Sequence, residues 1–125
     1  MTETKHNDEV LAIIKAATEV HRELGSGFLE AAYQEAMEIE ADLMGIPFVP
    51  QQNLQVQYKQ HRLKKKYVAD MICFDKIVVE FKVLDKLTDK EESQMVHYLK
   101  TSGYKTGVLI NFGSHPNLEW KQFAD

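Results

Sequence analysis

The run KIVVEFKVL, Lys76 to Leu84, constrains the fold more than any other part of this sequence. Its isoleucine, valines, phenylalanine and leucine are typical of a strand that is buried on both faces of a sheet. Glu80 and Lys82 interrupt the run, and residues two apart on a strand face the same way. Buried charges are costly unless they are paired or bind something else. The run therefore predicts either a salt bridge inside a sheet or a site where these charges act.

A second acid, Asp70, interrupts the preceding apolar run YVADMICF, Tyr67 to Phe74. The tight connection at Asp75-Lys76 predicts that the two runs form an antiparallel hairpin. Because neighbouring strands lie about 4.8 Å apart, a suitable register would bring Asp70 and Glu80 onto one divalent cation. Two carboxylates, a backbone carbonyl and waters suit Mg²⁺, and a nearby lysine can activate water or neutralise transition-state charge. A salt bridge from Lys82 to either acid is the alternative.

Periodicity along the rest of the chain indicates mixed helices and strands. Three helices are predicted, at residues 8–24, 29–43 and 88–103. Asn7 or Asp8 can cap the first helix and Gly25 stops it, and the third helix ends near Gly103. Four strands are predicted at residues 54–58, 67–74, 77–84 and 106–112, with an edge strand at 118–123. Thr88 and Glu91 fit a capping box at the start of the third helix. The order α-α-β-β-β-α-β predicts an α/β or α+β fold, in one domain over residues 1–125.

Composition excludes several classes of protein. Cys73 is the single cysteine, so an internal disulfide and a four-cysteine metal site are excluded. No apolar run reaches the roughly 20 residues of a membrane span, and the start MTETKHNDEV lacks a signal-peptide pattern. Zinc spacings such as HxxxH and nucleotide loops such as GxxxxGK[ST] do not occur. We therefore expect a cytoplasmic protein with no membrane partner.

The charge is unevenly spread along the chain, whose net charge is −4. The segment KQHRLKKK carries five of the fifteen Lys and Arg, which leaves ten against nineteen acids, a net −9, elsewhere. The five are Lys59, Arg62, Lys64, Lys65 and Lys66. They could contact the phosphate backbone of a nucleic acid, or they could simply form a solvated hairpin.

Three motifs together resemble a known group of enzymes. Asp70, followed after nine residues by Glu80-Phe81-Lys82, resembles the D…(D/E)xK signature of the PD-(D/E)XK nuclease superfamily, with Ala69 in place of its proline. The segment QMVHY, residues 94–98, is similar to the QxxxY motif of the recombination-exonuclease branch of that superfamily. GFLEAAY, residues 27–33, matches the motif that names the GxxExxY protein family. The resemblance extends from about residue 10 to residue 112.

The resemblance implies a fold and a reaction. The fold is a restriction-endonuclease-like core, α-β-β-β-α-β, with an extra N-terminal helix, a mixed central sheet and a site at one sheet edge. The reaction is hydrolysis of a nucleic-acid phosphodiester, with DNA favoured over RNA, by water activated on Mg²⁺ or Mn²⁺. The alternative is a catalytically silent module that keeps the nuclease fold to bind nucleic acid or a protein partner. A homo-oligomer that completes the substrate groove is also compatible.

The resemblance also assigns roles to single residues. The catalytic set it implies is Asp70, Glu80, Lys82, Glu30 and Gln94. Asp70 and Glu80 would hold the metal with the backbone carbonyl of Phe81, and Glu30 would help to position metal or water. Lys82 would orient or activate the water, while Gln94 and Tyr98 would organise the site and contact the substrate backbone.

Local physics offers each of these motifs a structural alternative. Glu30 stands in the first turn of a helix, where an acid interacts favourably with the helix dipole. Tyr33 fits the apolar stripe of its helix, and Tyr98 fits a core position with its hydroxyl satisfied. Gly27 could serve only the turn that precedes the helix.

Overall fold

The computed structural model describes residues 7–125, so most of the N-terminal segment considered above lies outside the described residues. The helices are α1 (Asp8–Leu24), α2 (Glu30–Leu43) and α3 (Asp89–Ser102). The strands are β1 (Phe48–Leu54), β2 (Gln57–Tyr58), β3 (His61–Arg62), β4 (Tyr67–Cys73), β5 (Ile77–Lys82), β6 (Thr106–Asn111) and β7 (Glu119–Ala124). In the described part of the chain, no helix is both long and apolar enough to cross a membrane.

Five strands form one mixed sheet, in the order β1-β4-β5-β6-β7. Only the β5–β6 pair is parallel, and α3 connects these two strands. A parallel pair needs such a crossover, whereas the other neighbours are antiparallel. The predicted α-β-β-β-α-β core with an extra N-terminal helix and a mixed central sheet is confirmed.

Helices cover both faces of this sheet. One cluster of buried side chains joins α1 and α2 to the sheet through residues such as Ile13, Met37 and Phe81. The second cluster joins α3 to the opposite face through Met95, Leu99 and Val78. Because β5 is covered on both faces, its apolar residues are all buried, as the opening run predicts.

Local signals for the helix ends are also confirmed. The Asn7 side chain accepts a hydrogen bond from the Val10 N–H and caps α1, and Gly25 ends that helix with φ 73°. Thr88 and Glu91 form the full capping box of α3, and Gly103 ends it in the left-handed conformation. These caps fix where α3 begins relative to β5, and therefore which of its side chains lie near Glu80 and Lys82.

The structure corrects three details of the sequence prediction. The strand predicted at 54–58 is wrong, because the pairing strand is Phe48–Leu54 and Gln57–Tyr58 belongs to a separate two-stranded ribbon with His61–Arg62. The turn between β4 and β5 centres on Phe74 and Asp75, both with positive φ, rather than on Asp75-Lys76. The expected site at a sheet edge is also wrong, because β4 and β5 are the second and third strands.

Candidate active site

The β4–β5 hairpin places Asp70 beside Glu80. Met71 pairs with Val79 at the end of the antiparallel ladder, so Asp70 and Glu80 are the next residues of the two strands just beyond the last pair. Here Asp70 Oδ2 accepts a hydrogen bond of 2.6 Å from the main-chain N–H of Phe81. A register shift of one residue would turn the buried side chains outward, so the apolar residues of both strands hold the two acids in this position.

Glu80 is a buried carboxyl group that is only partly satisfied: the main chain of Asp70 hydrogen-bonds it, but one of its oxygens lacks a partner among the described residues. The residue is 7% exposed, and within the described residues its Oε2 is buried without a hydrogen bond. Burial and the charge of Asp70 raise the pKa of Glu80 to about 8, against the opposing effect of Lys82. Burial also raises the pKa of Asp70 to about 6, although the Phe81 N–H lowers it. A buried, unpaired acid with a strongly raised pKa is typical of functional sites rather than of structural ion pairs.

Lys82 does not satisfy either acid by an ion pair. Its Nζ donates a hydrogen bond of 3.3 Å to Gln94 Oε1 on α3, and within residues 7–125 it forms no salt bridge. Its charge nevertheless lowers the pKa of both Asp70 and Glu80. Among the described residues, the salt bridge from Lys82 to Asp70 or Glu80 that was the structural alternative is therefore absent. The ammonium group is close enough to affect both acids electrostatically, but it forms an ion pair with neither.

Glu30 approaches the same site from the other face of the sheet. It is the first residue of α2, and its charge raises the pKa of both Asp70 and Glu80. Glu30 and Asp70 line one open cleft of about 400 Å³ together with Gln34 and Gln51. The helix start thus contributes a third carboxylate that is exposed to solvent and close enough to interact electrostatically with the other two.

Tyr33 explains how the motif GFLEAAY positions Glu30. Its ring is fully buried and stacks on Phe112, with centroids 4.7 Å apart and planes at 3°. Its hydroxyl donates to the Gly25 carbonyl at 2.5 Å and accepts from the Phe28 N–H at 3.2 Å. Tyr33 therefore ties the connection that precedes α2 to the core, which is the core role that its helical spacing predicted.

The other residues of interest lie farther along the surface. Tyr98 is half-buried on α3, one turn after Gln94, and the nearby charges of Glu80 and Asp70 contribute to a raised pKa. The predicted basic residues all lie on the exposed β2–β3 ribbon or on the loop after it: Lys59, Arg62, Lys64, Lys65 and Lys66. No contact described for residues 7–125 joins these five to Asp70 or Glu80, so the structure keeps the basic segment and the acidic pair apart.

Sequence reasoning missed two residues that support the site. Gln34 Nε2 donates to the Asp70 carbonyl at 3.0 Å, which fixes the main chain of the acidic strand to α2. Asn111 is fully buried at the end of β6, where its amide bonds both the N–H and the carbonyl of Leu84, each at 2.9 Å. The signal for Asn111 was available, because it is the one polar side chain besides Thr106 in the apolar run TGVLINF.

Comparisons with known proteins identify the family of the chain and its fold. The sequence profile of the PD-(D/E)XK nuclease superfamily matches residues 7–123. The chain belongs to this superfamily. Among curated proteins, the sequence comparison finds no significant match. The solved structures include a match to the crystal structure of SSO0001, with a TM-score of 0.56, 14% identity, and coverage of 99% of this chain and 71% of that chain. At this identity the likeness concerns the fold alone.

The side chains of this PD-(D/E)XK chain fit a divalent cation that keeps part of its water shell. Within the described residues, no three His, Cys, Asp or Glu side chains converge tightly enough to hold a metal ion by themselves. Mg²⁺ is usually bound by one or two carboxylates with several waters and substrate oxygens, so a closed protein cage is not required. The Glu80 Oε2, which lacks a partner among the described residues, is an oxygen that such an ion could bind. The raised pKa values of Asp70 and Glu80 mean that two negative charges are unfavourable here without a positive charge beside them, and a divalent cation would supply that charge.

Proposed function

We propose that this chain, as one domain over residues 1–125, is a metal-dependent phosphodiesterase that hydrolyses nucleic acid, with DNA as the favoured substrate. The observation that carries the proposal is the buried Glu80 Oε2, which lacks a hydrogen-bond partner among the described residues and lies beside Asp70, with Lys82 close by but in no salt bridge with either acid. We assign the chain to the GxxExxY branch of the superfamily on the motif GFLEAAY. The same proposal places the protein in the cytoplasm.

The proposed roles follow from what each group can do where it lies. Asp70, Glu80 and the Phe81 carbonyl would hold Mg²⁺ or Mn²⁺, and Glu30 would position the metal or a water molecule from the open cleft. The bound ion would supply Lewis acidity and a water of lowered pKa for attack on phosphorus. The Lys82 ammonium group would orient that water and stabilise the negative charge that develops on the phosphate oxygens.

Two residues of α3 would complete the site. Gln94 already accepts a hydrogen bond from Lys82 Nζ, so it would hold the ammonium group in a defined orientation. Tyr98 lies one turn farther along the same helix and would contact the substrate. Neither residue needs to carry a proton in this account, and we class both as positioning or binding groups.

The basic residues would provide affinity rather than chemistry. Lys59 and Arg62 on the ribbon and Lys64, Lys65 and Lys66 on the following loop are exposed, so their charges are free to contact phosphates. Because the rest of the chain is acidic, this segment would direct the substrate to one side of the molecule. A second copy of the chain could extend this surface into a longer groove.

One observation favours a second candidate function, a catalytically silent module that binds nucleic acid or a protein partner. The described residues lack three ligating side chains that converge on one point. A protein of this kind would use the basic segment, residues 59–66, as a binding surface and would bind metal weakly.

A cleavage assay separates the two functions. Labelled single- and double-stranded DNA and RNA are incubated with the protein in Mg²⁺ and in Mn²⁺, beside a Lys82→Ala variant purified identically. The nuclease proposal requires cutting by the wild type that EDTA abolishes and that Lys82→Ala reduces by at least about a hundredfold. Binding without cutting by either protein would favour the silent module. Equal cutting by both that persists at the same specific activity through further purification would refute the assignment of Lys82, whereas cutting that separates from the protein would come from a contaminant.

A further inference from the structure

A second cavity adjoins the candidate active site on the α3 side of the sheet. Its volume is about 320 Å³, and we call it the tyrosine cavity because two tyrosine rings form its wall. The residues that line it are Val56, Tyr67, Gln94, His97, Tyr98 and Thr101. Gln94 belongs to both places, since it lines the cavity and also accepts the hydrogen bond from Lys82 Nζ. A group bound in the tyrosine cavity would therefore lie next to the groups proposed to act on the phosphate.

The two tyrosine rings leave aromatic surface open to a ligand. Tyr67 is the first residue of β4, three positions before Asp70, and it is 37% exposed. Its ring centroid lies 5.5 Å from that of Tyr98, with the planes inclined at 48°. Because the rings are tilted, neither is stacked flat on the other. The pair thus differs from the stacked, buried pair of Tyr33 and Phe112 in the core.

The polar groups of the cavity suit a neutral, planar ligand. The six lining residues include no Asp or Glu, in contrast to the open cleft around Glu30 on the other side of the site. The Gln94 amide N–H₂ and the His97 imidazole can pair with the edge of a heterocycle, and the Thr101 hydroxyl, which donates to main-chain carbonyls of its own helix, can still accept. Val56 adds apolar surface. Aromatic faces with a few neutral hydrogen-bonding groups are the features that bind unstacked nucleobases.

We propose that the tyrosine cavity binds the base of an unpaired nucleotide adjacent to the phosphate that is cut, so that the substrate is a single strand or a single-stranded end. This inference rests on the proposed nuclease function and names the substrate class of that same site. A base inside a duplex is stacked on both faces and cannot enter the cavity without being extruded. Base binding in this cavity does not distinguish DNA from RNA, because the bases of both present the same aromatic faces.

The test measures binding without cleavage, by fluorescence anisotropy in EDTA. The probes are a labelled single-stranded deoxyoligonucleotide, the same strand with abasic positions, the matching blunt duplex, and a ribo-oligonucleotide of the same sequence. The wild type should bind the intact single strand more tightly than the abasic strand by about 5- to 150-fold, the range expected for stacking of one base. This comparison needs no variant, so it does not depend on how a substitution affects folding.

Variants of Tyr67 then assign the effect to the cavity. Tyr67→Ala should lower affinity for the intact strand to that for the abasic strand, and Tyr67→Phe, which keeps the ring, should retain the preference. If RNA rather than DNA shows the base-dependent preference, the cavity still binds a base and the favoured nucleic acid changes.

Two results would overturn the inference, and they are distinguishable. Cleavage that depends on Lys82, with equal binding of intact and abasic strands, would leave the nuclease function standing and refute the base-binding role. Absence of both binding and metal-dependent cleavage for all four probes would refute the proposed function, and the inference with it.

Discussion

Replacing Glu80 by glutamine should stabilise the metal-free protein, and the gain should grow with pH. The pKa of Glu80 is about 8 in the folded chain, against 4.5 as the ordinary value. Below pH 4.5 the Glu80 carboxyl group is protonated in both the folded and the unfolded chain. It then imposes no penalty, that is, no loss in the free energy of unfolding. Between pH 4.5 and pH 8 the unfolded chain loses the proton that the folded chain keeps, so the free energy of unfolding falls as pH rises. Above pH 8 the penalty is constant.

The size of this effect follows from the two pKa values. The penalty is about 1 kcal/mol at pH 5, about 3 kcal/mol at pH 7 and about 5 kcal/mol above pH 8, from 1.36 kcal/mol for each pKa unit. Glutamine keeps the shape of the side chain and carries no charge at any of these values. Glu80→Gln should therefore be more stable than the wild type by amounts that approach these figures.

Denaturant unfolding in EDTA at pH 5, 7 and 9 measures the difference directly. Glu23→Gln serves as the matched control, since Glu23 is an exposed residue in a surface ion pair with Arg22 and its loss should cost less than about 1 kcal/mol at every pH. Parallel stability curves for the wild type and Glu80→Gln, or a variant less stable than the wild type at pH 9, would refute the account of Glu80 as a buried acid whose ionisation destabilises the fold.

Four further variants test the framework around the site and the basic segment. Asn111→Ala should lower the free energy of unfolding by about 2–3 kcal/mol, because it removes a fully buried amide and both of its hydrogen bonds to the main chain of Leu84; a loss below 1 kcal/mol in urea unfolding would contradict this role. Gly113→Ala should cost about 1–3 kcal/mol, since a Cβ there would lie 2.5 Å from the Leu84 main chain. Gly107→Ala, which meets only the flexible Met95 side chain, should cost less, and the reverse order in thermal unfolding would be inconsistent with this packing. Replacing Lys64, Lys65 and Lys66 together by glutamine should weaken the salt dependence of binding to single-stranded DNA. The logarithm of the association constant falls with the logarithm of the salt concentration, and the size of that slope should decrease by up to about 2; an unchanged slope would show that the segment does not contact the substrate.

The sequence predicted the elements with strong local signals. The caps at Asn7 and Thr88 set the helix starts, and the apolar runs with Asp70 and Glu80 predicted the hairpin and the meeting of its two acids. Each of these features depends on residues close together in the chain or on one pair of adjacent strands. Such signals do not need knowledge of the remaining fold.

The strand β1 could not be predicted in the same way. Its sequence FVPQQNL contains Pro50 and a run of exposed polar residues, and only Leu54 is buried. An edge strand tolerates proline and needs no alternating pattern, because one side of it has no neighbour. The sequence allowed a solvated hairpin in the basic segment but did not locate its strands, because the turn of the β2–β3 ribbon uses Lys59 and Gln60 with positive φ, where glycine or asparagine is the usual signal.

The sequence predicts one apolar stripe along α2, and the structure buries only part of it; the predicted residues are Leu29, Ala32, Tyr33, Ala36, Ile39 and Leu43. Leu29, Ile39 and Leu43 recur at helical spacing but are exposed, whereas Tyr33, Met37 and Ala41 are the buried positions. The helix presents two apolar stripes, and only its docking on α1 and the sheet decides which one is buried. Long-range contacts also created the link from Gln34 to the Asp70 carbonyl, which no local pattern contains.

The most direct test of the central claim is a calorimetric titration of the metal-free protein with Mn²⁺ at pH 7, repeated in two buffers of different ionisation enthalpy. At this pH Glu80 is largely protonated in the metal-free protein, so a cation held by its carboxylate must displace the proton. The account predicts one saturable site in each chain and the release of about one proton for each ion bound, both lost in Asp70→Ala. Saturable binding that persists in Asp70→Ala, binding without proton release, or no saturable binding at all would contradict it.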